Sequence, residues 1–368
     1  MTTRSGPVGV GVIGAGVISD TYLQNLTSFP DIEVHAVGDL FPDAARARAS
    51  QHGVPNAGGV STVLEHPDVE IVVNLTIPAA HADVANQALA AGKHVWNEKP
   101  LALELADAQA LLDHARAADL RVGCAPDTFL GSGLQTALGL VHDGRIGRPL
   151  TALVLLQGPG PDLWHPNPTF YFVAGGGPVF DMGPYYLTAL VQAFGPALLV
   201  AATGSTSRLK RTIATGPRAG EEFEVTVPTH VSATIQFASG QSATLVLSFE
   251  SPIRRTLLEV TGTDGTLVFP DPNIFDGAIA VQTADQKEPV VVAEPAALSS
   301  RGTGVLEMAR AIRAGRPHRA SGDLAYHVLE IMTRIDQAIT ASAYVPVTST
   351  VDPAEPLPTD WDPAARTL

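Results

Sequence analysis

The sequence predicts an α/β protein, with a doubly wound parallel sheet first and an α+β domain with a large, mostly antiparallel sheet after it. Three observations carry this. A strand-like opening, Val8–Ile13, runs straight into the glycine turn Gly14-Ala15-Gly16-Val17-Ile18-Ser19. Short apolar runs then alternate with alanine- and leucine-rich amphipathic stretches up to residue 125, the rhythm of βα units. Beyond residue 150, β-rich segments follow one another with few helices between them.

In the first part, strands are expected at Val8–Ile13, Ile32–Gly38, Ile71–Thr76, His94–Trp96 and Arg121–Cys124. Helices are expected at Ser19–Ser28, Pro42–His52, His81–Ala91 and Ala106–Ala118, with Pro42-Asp43 opening one and Gly92 closing another. In the second part the strands are Thr151–Gln157, Leu198–Gly204, His230–Phe237, Ser242–Phe249, Leu257–Thr261 and Thr266–Phe269. Ser239-Gly240 and Asp264-Gly265 mark turns between neighbours. Late helices are expected at Gly302–Ala314 and Asp323–Ala341, a mobile loop at Arg208–Glu222, and an extended proline-rich tail after Val351. The domains are expected to span residues 1–125 and 126–368.

The chain has 368 residues, enough for two domains, and 45% of them are hydrophobic. A net charge of −14 without a basic stripe speaks against nucleic acid as a partner. One cysteine, Cys124, makes neither an internal disulfide nor a cysteine-rich zinc site. No histidine pair or acidic cluster has metal-site spacing, so no metal is expected. Met1 to Pro7 is short and polar, and no apolar run approaches the roughly 20 residues of a membrane span. A cytoplasmic protein without membrane contact is the expectation.

The glycine turn reads as a dinucleotide fingerprint of the Rossmann type. Gly14 permits the tight turn, Gly16 leaves room for a pyrophosphate, and small Ser19 lets helix and strand approach. Phosphates would rest on N–H groups of Ala15, Val17 and Ile18 at the helix start. Asp39 ends the second strand 23 positions after Gly16, where an acid grips ribose hydroxyls and repels the extra phosphate of NADP. The expected cofactor is therefore NAD. A helix-capping role for Asp39, beside Pro42, is compatible with this.

Further motifs resemble the Gfo/Idh/MocA family of oxidoreductases over nearly the whole chain. Asn74-Leu75-Thr76-Ile77-Pro78-Ala79-Ala80-His81 is similar to the family's T-P-x-x-x-H stretch. Trp96-Asn97-Glu98-Lys99-Pro100-Leu101-Ala102 matches its E-K-P-L signature, and Gly175–Gly183 its glycine-rich stretch before a second helix. The resemblance implies cofactor contacts from Thr76, Pro78, His81, Glu98 and Lys99. It also implies hydroxyl–ketone chemistry on a sugar, glycoside or cyclic polyol, and a homo-dimer or homo-tetramer built on the large sheet.

Read on its own, Glu98-Lys99-Pro100 follows a short strand and so lies at the carboxyl edge of the sheet, where open α/β folds bind ligands. A surface salt bridge is the competing reading of Glu98. Asp181 and Tyr185 stand four residues apart and share a face if helical. The family has histidine where this chain has Tyr185, and an arginine pair where it has Cys124-Ala125-Pro126-Asp127-Thr128. Catalytic roles are thus expected for Lys99, Asp181 and Tyr185. A phenol titrates at about 10, and a nearby ammonium lowers that. Tyr185, Lys99 or His165 could move the proton, and Tyr185 could equally be a core aromatic. Asp127, Trp164, His165 and Tyr185 are candidate substrate contacts; Trp164-His165 sits on a proline-stiffened loop whose aromatic and polar groups suit a sugar. Two rival functions share these motifs: a glycosidase that uses NAD transiently, and a sensor that binds NAD and sugar without chemistry.

Overall fold

The computed structural model describes residues 5–368. Contacts divide the chain differently from a single cut near residue 125. One unit runs to Ser132 and takes in Ala297–Tyr326 and Ala354–Leu368; the other comprises Gly133–Ala296 and His327–Pro353.

The first unit holds strands β1 (Val8–Ile13), β2 (Ile32–Gly38), β3 (Asn56–Gly58), β4 (Ile71–Asn74), β5 (His94–Asn97) and β6 (Val122–Cys124). They form a parallel sheet in the order β3-β2-β1-β4-β5-β6. Helices α1 (Ile18–Leu26), α2 (Pro42–His52), α3 (Val60–Leu64), α4 (His81–Ala90) and α5 (Leu105–Ala117) connect them. β1, β4, β5 and β6 are buried along their length except His94, as strands covered on both faces must be. The order reverses between β1 and β4, which puts a crevice at their carboxyl ends. The short β3 and α3 carry no strong sequence pattern and were not expected.

Helix α6 (Ser132–His142) precedes the second sheet. That sheet uses β7 (Pro149–Gln157), β8 (Ala197–Ser205), β11 (His230–Phe237), β12 (Ser242–Ser248), β13 (Arg255–Gly262), β14 (Thr266–Val268), β15 (Ile279–Gln282), β16 (Val290–Ala293) and β17 (Val345–Pro346). Its order is β16-β15-β14-β13-β7-β12-β11-β8-β17, antiparallel except for β7 beside β12. Helix α7 (Gly177–Phe194) packs on the face that buries Val154, Leu245 and Leu258. The expected mobile loop at Arg208–Glu222 is instead framed by a small hairpin, β9 (Lys210–Thr212) with β10 (Glu222–Glu224). Its anchor is Arg211, whose side chain is buried against Asp162 and Glu250. Helices α8 (Thr303–Arg313) and α9 (Gly322–Ala341) lie close to their expected bounds.

Candidate active site

The glycine turn closes because Gly14 adopts φ +105°, a left-handed conformation. A Cβ on Gly14 would stand 2.6 Å from the Leu75 carbonyl oxygen, so the turn also needs glycine for space. At Gly16 the opposite holds: a Cβ would meet nothing within 4 Å, which leaves open room beside the turn. No side chain caps α1. Ser19 is buried, its hydroxyl donating to the Gly16 carbonyl at 2.6 Å. The half-buried Asp39 accepts the Ala15 N–H at 2.7 Å and the Phe41 N–H at 2.8 Å, tying the end of β2 to the turn.

Arg46 is paired with Asp43. Arg48 comes nearer than its place in sequence indicates, donating to the Gly16 carbonyl at 3.2 Å while paired with Asp20 at 2.7 Å. Val17, Leu40, Phe41 and Ile77, among the most exposed large apolar side chains of the described residues, all follow β1, β2 or β4. An open turn, an acid at its rim and exposed apolar groups on the same sheet edge fit a dinucleotide. The apolar rim was not anticipated, since exposure cannot be read from residues spread over three loops.

The loops after β4 and β5 are joined by buried amides. Asn74 donates to Asn97 at 2.9 Å and to the His81 carbonyl at 3.0 Å, and accepts the Thr76 hydroxyl at 2.7 Å. Pro78 opens the short turn Pro78–Ala80. His81 was expected at the cofactor but has almost no exposed surface. Its ring lies between the Pro100 carbonyl at 2.7 Å and the Thr76 carbonyl at 3.0 Å, so it clamps one loop to the other from behind. Burial lowers its pKa.

Glu98 is buried, and among the described residues it makes no surface salt bridge. The Tyr22 hydroxyl donates to one of its oxygens at 2.7 Å, and the Lys99 N–H to the other at 3.0 Å. Lys99 itself is half-buried, with its backbone fixed by that bond. Asp127 departs from the expected substrate role. No part of it is exposed, and its Oδ2 accepts the N–H groups of Gly302 at 2.9 Å and Gly304 at 3.0 Å. It anchors the N-terminus of α8, where a carboxylate is favoured.

In the second unit, Asp181 and Tyr185 do lie on one helix, α7, four residues apart. Pro184 inside that helix leaves the Phe180 carbonyl without its usual i+4 donor. Asp181 is half-buried; Tyr185 is 6% exposed, and neighbouring Tyr186 is wholly buried. His165 accepts the Asn167 N–H on Nδ1 at 3.0 Å. Burial lowers the His165 pKa, against the pull of the Asn167 bond and of the Asp181 charge. Both residues lie in the second unit, and the Asp181 charge acts on His165. Trp164 stands edge-on to His165, with ring centroids 5.5 Å apart.

Residues 8–125 match the family described as an oxidoreductase family with an NAD-binding Rossmann fold, and residues 134–268 match the Gfo/Idh/MocA C-terminal domain. The chain belongs to the Gfo/Idh/MocA oxidoreductase family. Among its relatives, a myo-inositol 2-dehydrogenase of Thermotoga maritima is 28% identical over 47% of this chain and 51% of its own length, so the match spans about half of that protein. A 1,5-anhydro-D-fructose reductase of Ensifer adhaerens is 28% identical over 70% of this chain and 74% of its own. A levoglucosan dehydrogenase solved with NADH and L-sorbose shares the fold of this Gfo/Idh/MocA protein at TM-score 0.80, with 21% identity over 94% of this chain and 100% of that one. Among the described residues, no helix is long and apolar enough to cross a membrane.

Proposed function

We propose that this chain is an NAD(H)-dependent oxidoreductase that interconverts a hydroxyl and a ketone on a sugar, glycoside or cyclic polyol. The observation that carries the reading is Lys99, held by Glu98 at the carboxyl end of β5 on the same sheet edge as the open glycine turn. The names of the inositol dehydrogenase and the anhydrofructose reductase support the substrate class. When bound, NAD(H) would supply the acceptor or the donor of the hydride. The N–H groups of Gly16, Val17 and Ile18 would hold the pyrophosphate, the Ala15 N–H being taken by Asp39, and Asp39 would take the ribose hydroxyls. Thr76 and Pro78 shape the nicotinamide end. The Lys99 ammonium donates a hydrogen bond to the reacting oxygen of the substrate. Tyr185 is the group proposed to exchange the proton, with Asp181 four residues before it on α7.

A screen of sugars and polyols with NAD, read as NADH absorbance, tests the reading. Steady NADH formation with at least one sugar is expected. A transient glycosidase or a sensor gives none. Lys99→Ala should abolish most turnover and keep NAD binding. Tyr185→Phe should lose about 10²–10⁴-fold in turnover with little change in melting temperature; normal turnover across the pH range would reassign the proton transfer. Asp39→Ala should narrow a wild-type preference for NAD over NADP, and equal efficiency of the wild type with both would overturn the role of Asp39.

The reading includes assembly as a homo-dimer or homo-tetramer. Leu155, Val246 and Leu257 stand side by side across three strands, half-buried on the sheet face away from α7. Light scattering on eluting protein measures the mass, and a monomer would refute this part.

A further inference from the structure

The segment between β7 and α7 exposes aromatic rings and is nevertheless firmly held. Trp164 is 57% exposed and Phe170 45%. The His165 ring lies among three others, with centroids 5.5 Å from Trp164, 5.4 Å from Phe170 and 5.3 Å from Tyr171. Phe170 and Tyr171 are 4.0 Å apart.

Beneath these rings the support is buried. Phe172 packs with Ile213, Phe223, Val225 and Phe249. Arg211 donates to Asp162 at 2.6 Å and to the Phe249 carbonyl at 2.9 Å, pairs with Glu250 at 2.9 Å, and lies 4.9 Å over the Phe172 ring. A buried arginine with two acids adds little net stability, because desolvation offsets the attraction. What it does supply is a fixed geometry for Asp162 and for the loop that starts there. On the other side, Arg218 donates to Asn167 at 2.8 Å. An exposed aromatic patch on so firm a base marks a recognition surface.

The chemistry of the patch selects its ligand. Asn167 occupies Nδ1 of His165, so the neutral imidazole carries its proton on Nε2 and donates there. Asp181 acts on His165 and is an acceptor. Residues 158–176 contain no lysine or arginine, and Arg218, which reaches Asn167, is paired with Glu221 at 2.8 Å, which disfavours an anionic ligand. Flat apolar faces with a neutral donor and an acceptor suit a carbohydrate ring. The patch also has a direction: His165 is the member that Asp181 influences, while Trp164 and Phe170 flank it and are the exposed ones. Trp164 and Phe170, with centroids 5.5 Å and 5.4 Å from His165, extend the patch beyond the member that Asp181 influences.

We infer that Trp164, Phe170 and Tyr171 bind a second sugar ring, glycosidically linked to the ring that reacts, so that disaccharides are the preferred substrates. This rests on the sugar-oxidoreductase reading. The test titrates the protein with maltose, cellobiose and lactose, and with glucose and galactose, following tryptophan emission. Trp164→Phe isolates the signal of Trp164 from those of Trp96 and Trp361. Disaccharides should perturb Trp164 emission at concentrations about tenfold below those of the monosaccharides. Trp164→Ala and Phe170→Ala should each raise KM for the disaccharide about tenfold with kcat held, as loss of uniform binding does, and Phe170→Ala should leave monosaccharide kinetics unchanged. Equal response to one and two rings, or no effect of either alanine variant, overturns the inference. So does a change of oligomeric state in these variants, which would make the patch a subunit contact. A Trp164 response to disaccharides without NADH formation would overturn the oxidoreductase reading and keep the second-ring site. Turnover of free sugars with a silent Trp164 would do the reverse.

Discussion

Asp127 ionises against its surroundings. One of its oxygens accepts two backbone N–H groups at the start of α8; the other is buried without a hydrogen-bond partner. Burial lifts its pKa to about 6, against the pull of Gly304, Arg301 and Gly302, with Glu98 adding to the rise. The folded value lies above the ordinary 3.8. The contribution to stability is therefore whole below pH 3.8 and lost as pH rises through about 6, a swing of about 3 kcal/mol. Asp127→Asn keeps an acceptor for Gly302 and Gly304 and removes the charge. Its melting temperature relative to wild type should rise between pH 4.5 and pH 7.5. A difference that stays constant over this range would show that Asp127 does not titrate there. The tight turn at Gly14 and the open space at Gly16 were legible because both follow from one local βαβ unit. Asp127 and His81 were not, because what occupies them, the Gly302 turn and the Pro100 carbonyl, is distant in sequence.

Helix α1 links the glycine turn at its start to the Lys99 loop through Tyr22. The Tyr22 hydroxyl donates to Glu98 and receives the Trp96 indole N–H at 3.3 Å, while Glu98 holds the Lys99 backbone. Tyr22 is thus a positioning residue for Lys99. Tyr22→Phe leaves the buried Glu98 one donor short, a cost of about 1–3 kcal/mol. A lower melting temperature is expected, together with a fall in kcat and little change in KM for NAD. A lower melting temperature with unchanged kcat would make Tyr22 structural only. At this scale most strands and helices were visible as apolar periodicity, whereas the β9–β10 hairpin was not. Its sequence is polar and glycine-bearing, and its order comes from Arg211 reaching Asp162 and Glu250, which lie far along the chain.

The first unit is completed by segments that the chain supplies after the second. Trp96, on β5 next to the edge strand β6, is fully buried, and a Cβ on Gly304 of α8 would stand 2.0 Å from its ring. Farther along α8, Arg310 donates to Asp31 at 2.8 Å and to the Ala365 carbonyl at 2.7 Å, and Thr367 donates its hydroxyl to Asp31 at 2.8 Å. Arg313 pairs with Glu70 at 2.6 Å. Ala320 and Ser321 lie against the edge strand β6, with the Cys124 N–H donating to the Ala320 carbonyl at 3.1 Å and a single bridge from Gly123 to Ser321. A fragment of residues 5–132 contains all six parallel strands but none of this cover. Exposing the Trp96 side of the sheet forfeits roughly 25 cal/mol for each Å2 of apolar surface, in a domain whose whole stability is about 5–15 kcal/mol. The fragment should therefore show red-shifted Trp96 emission and no cooperative melt. Joining residues 297–326 and 354–368 to it through glycine–serine linkers, with Trp361→Phe so that Trp96 alone reports, should restore both. A bare fragment that melts cooperatively with its tryptophan still buried would show that the late segments are dispensable to this unit.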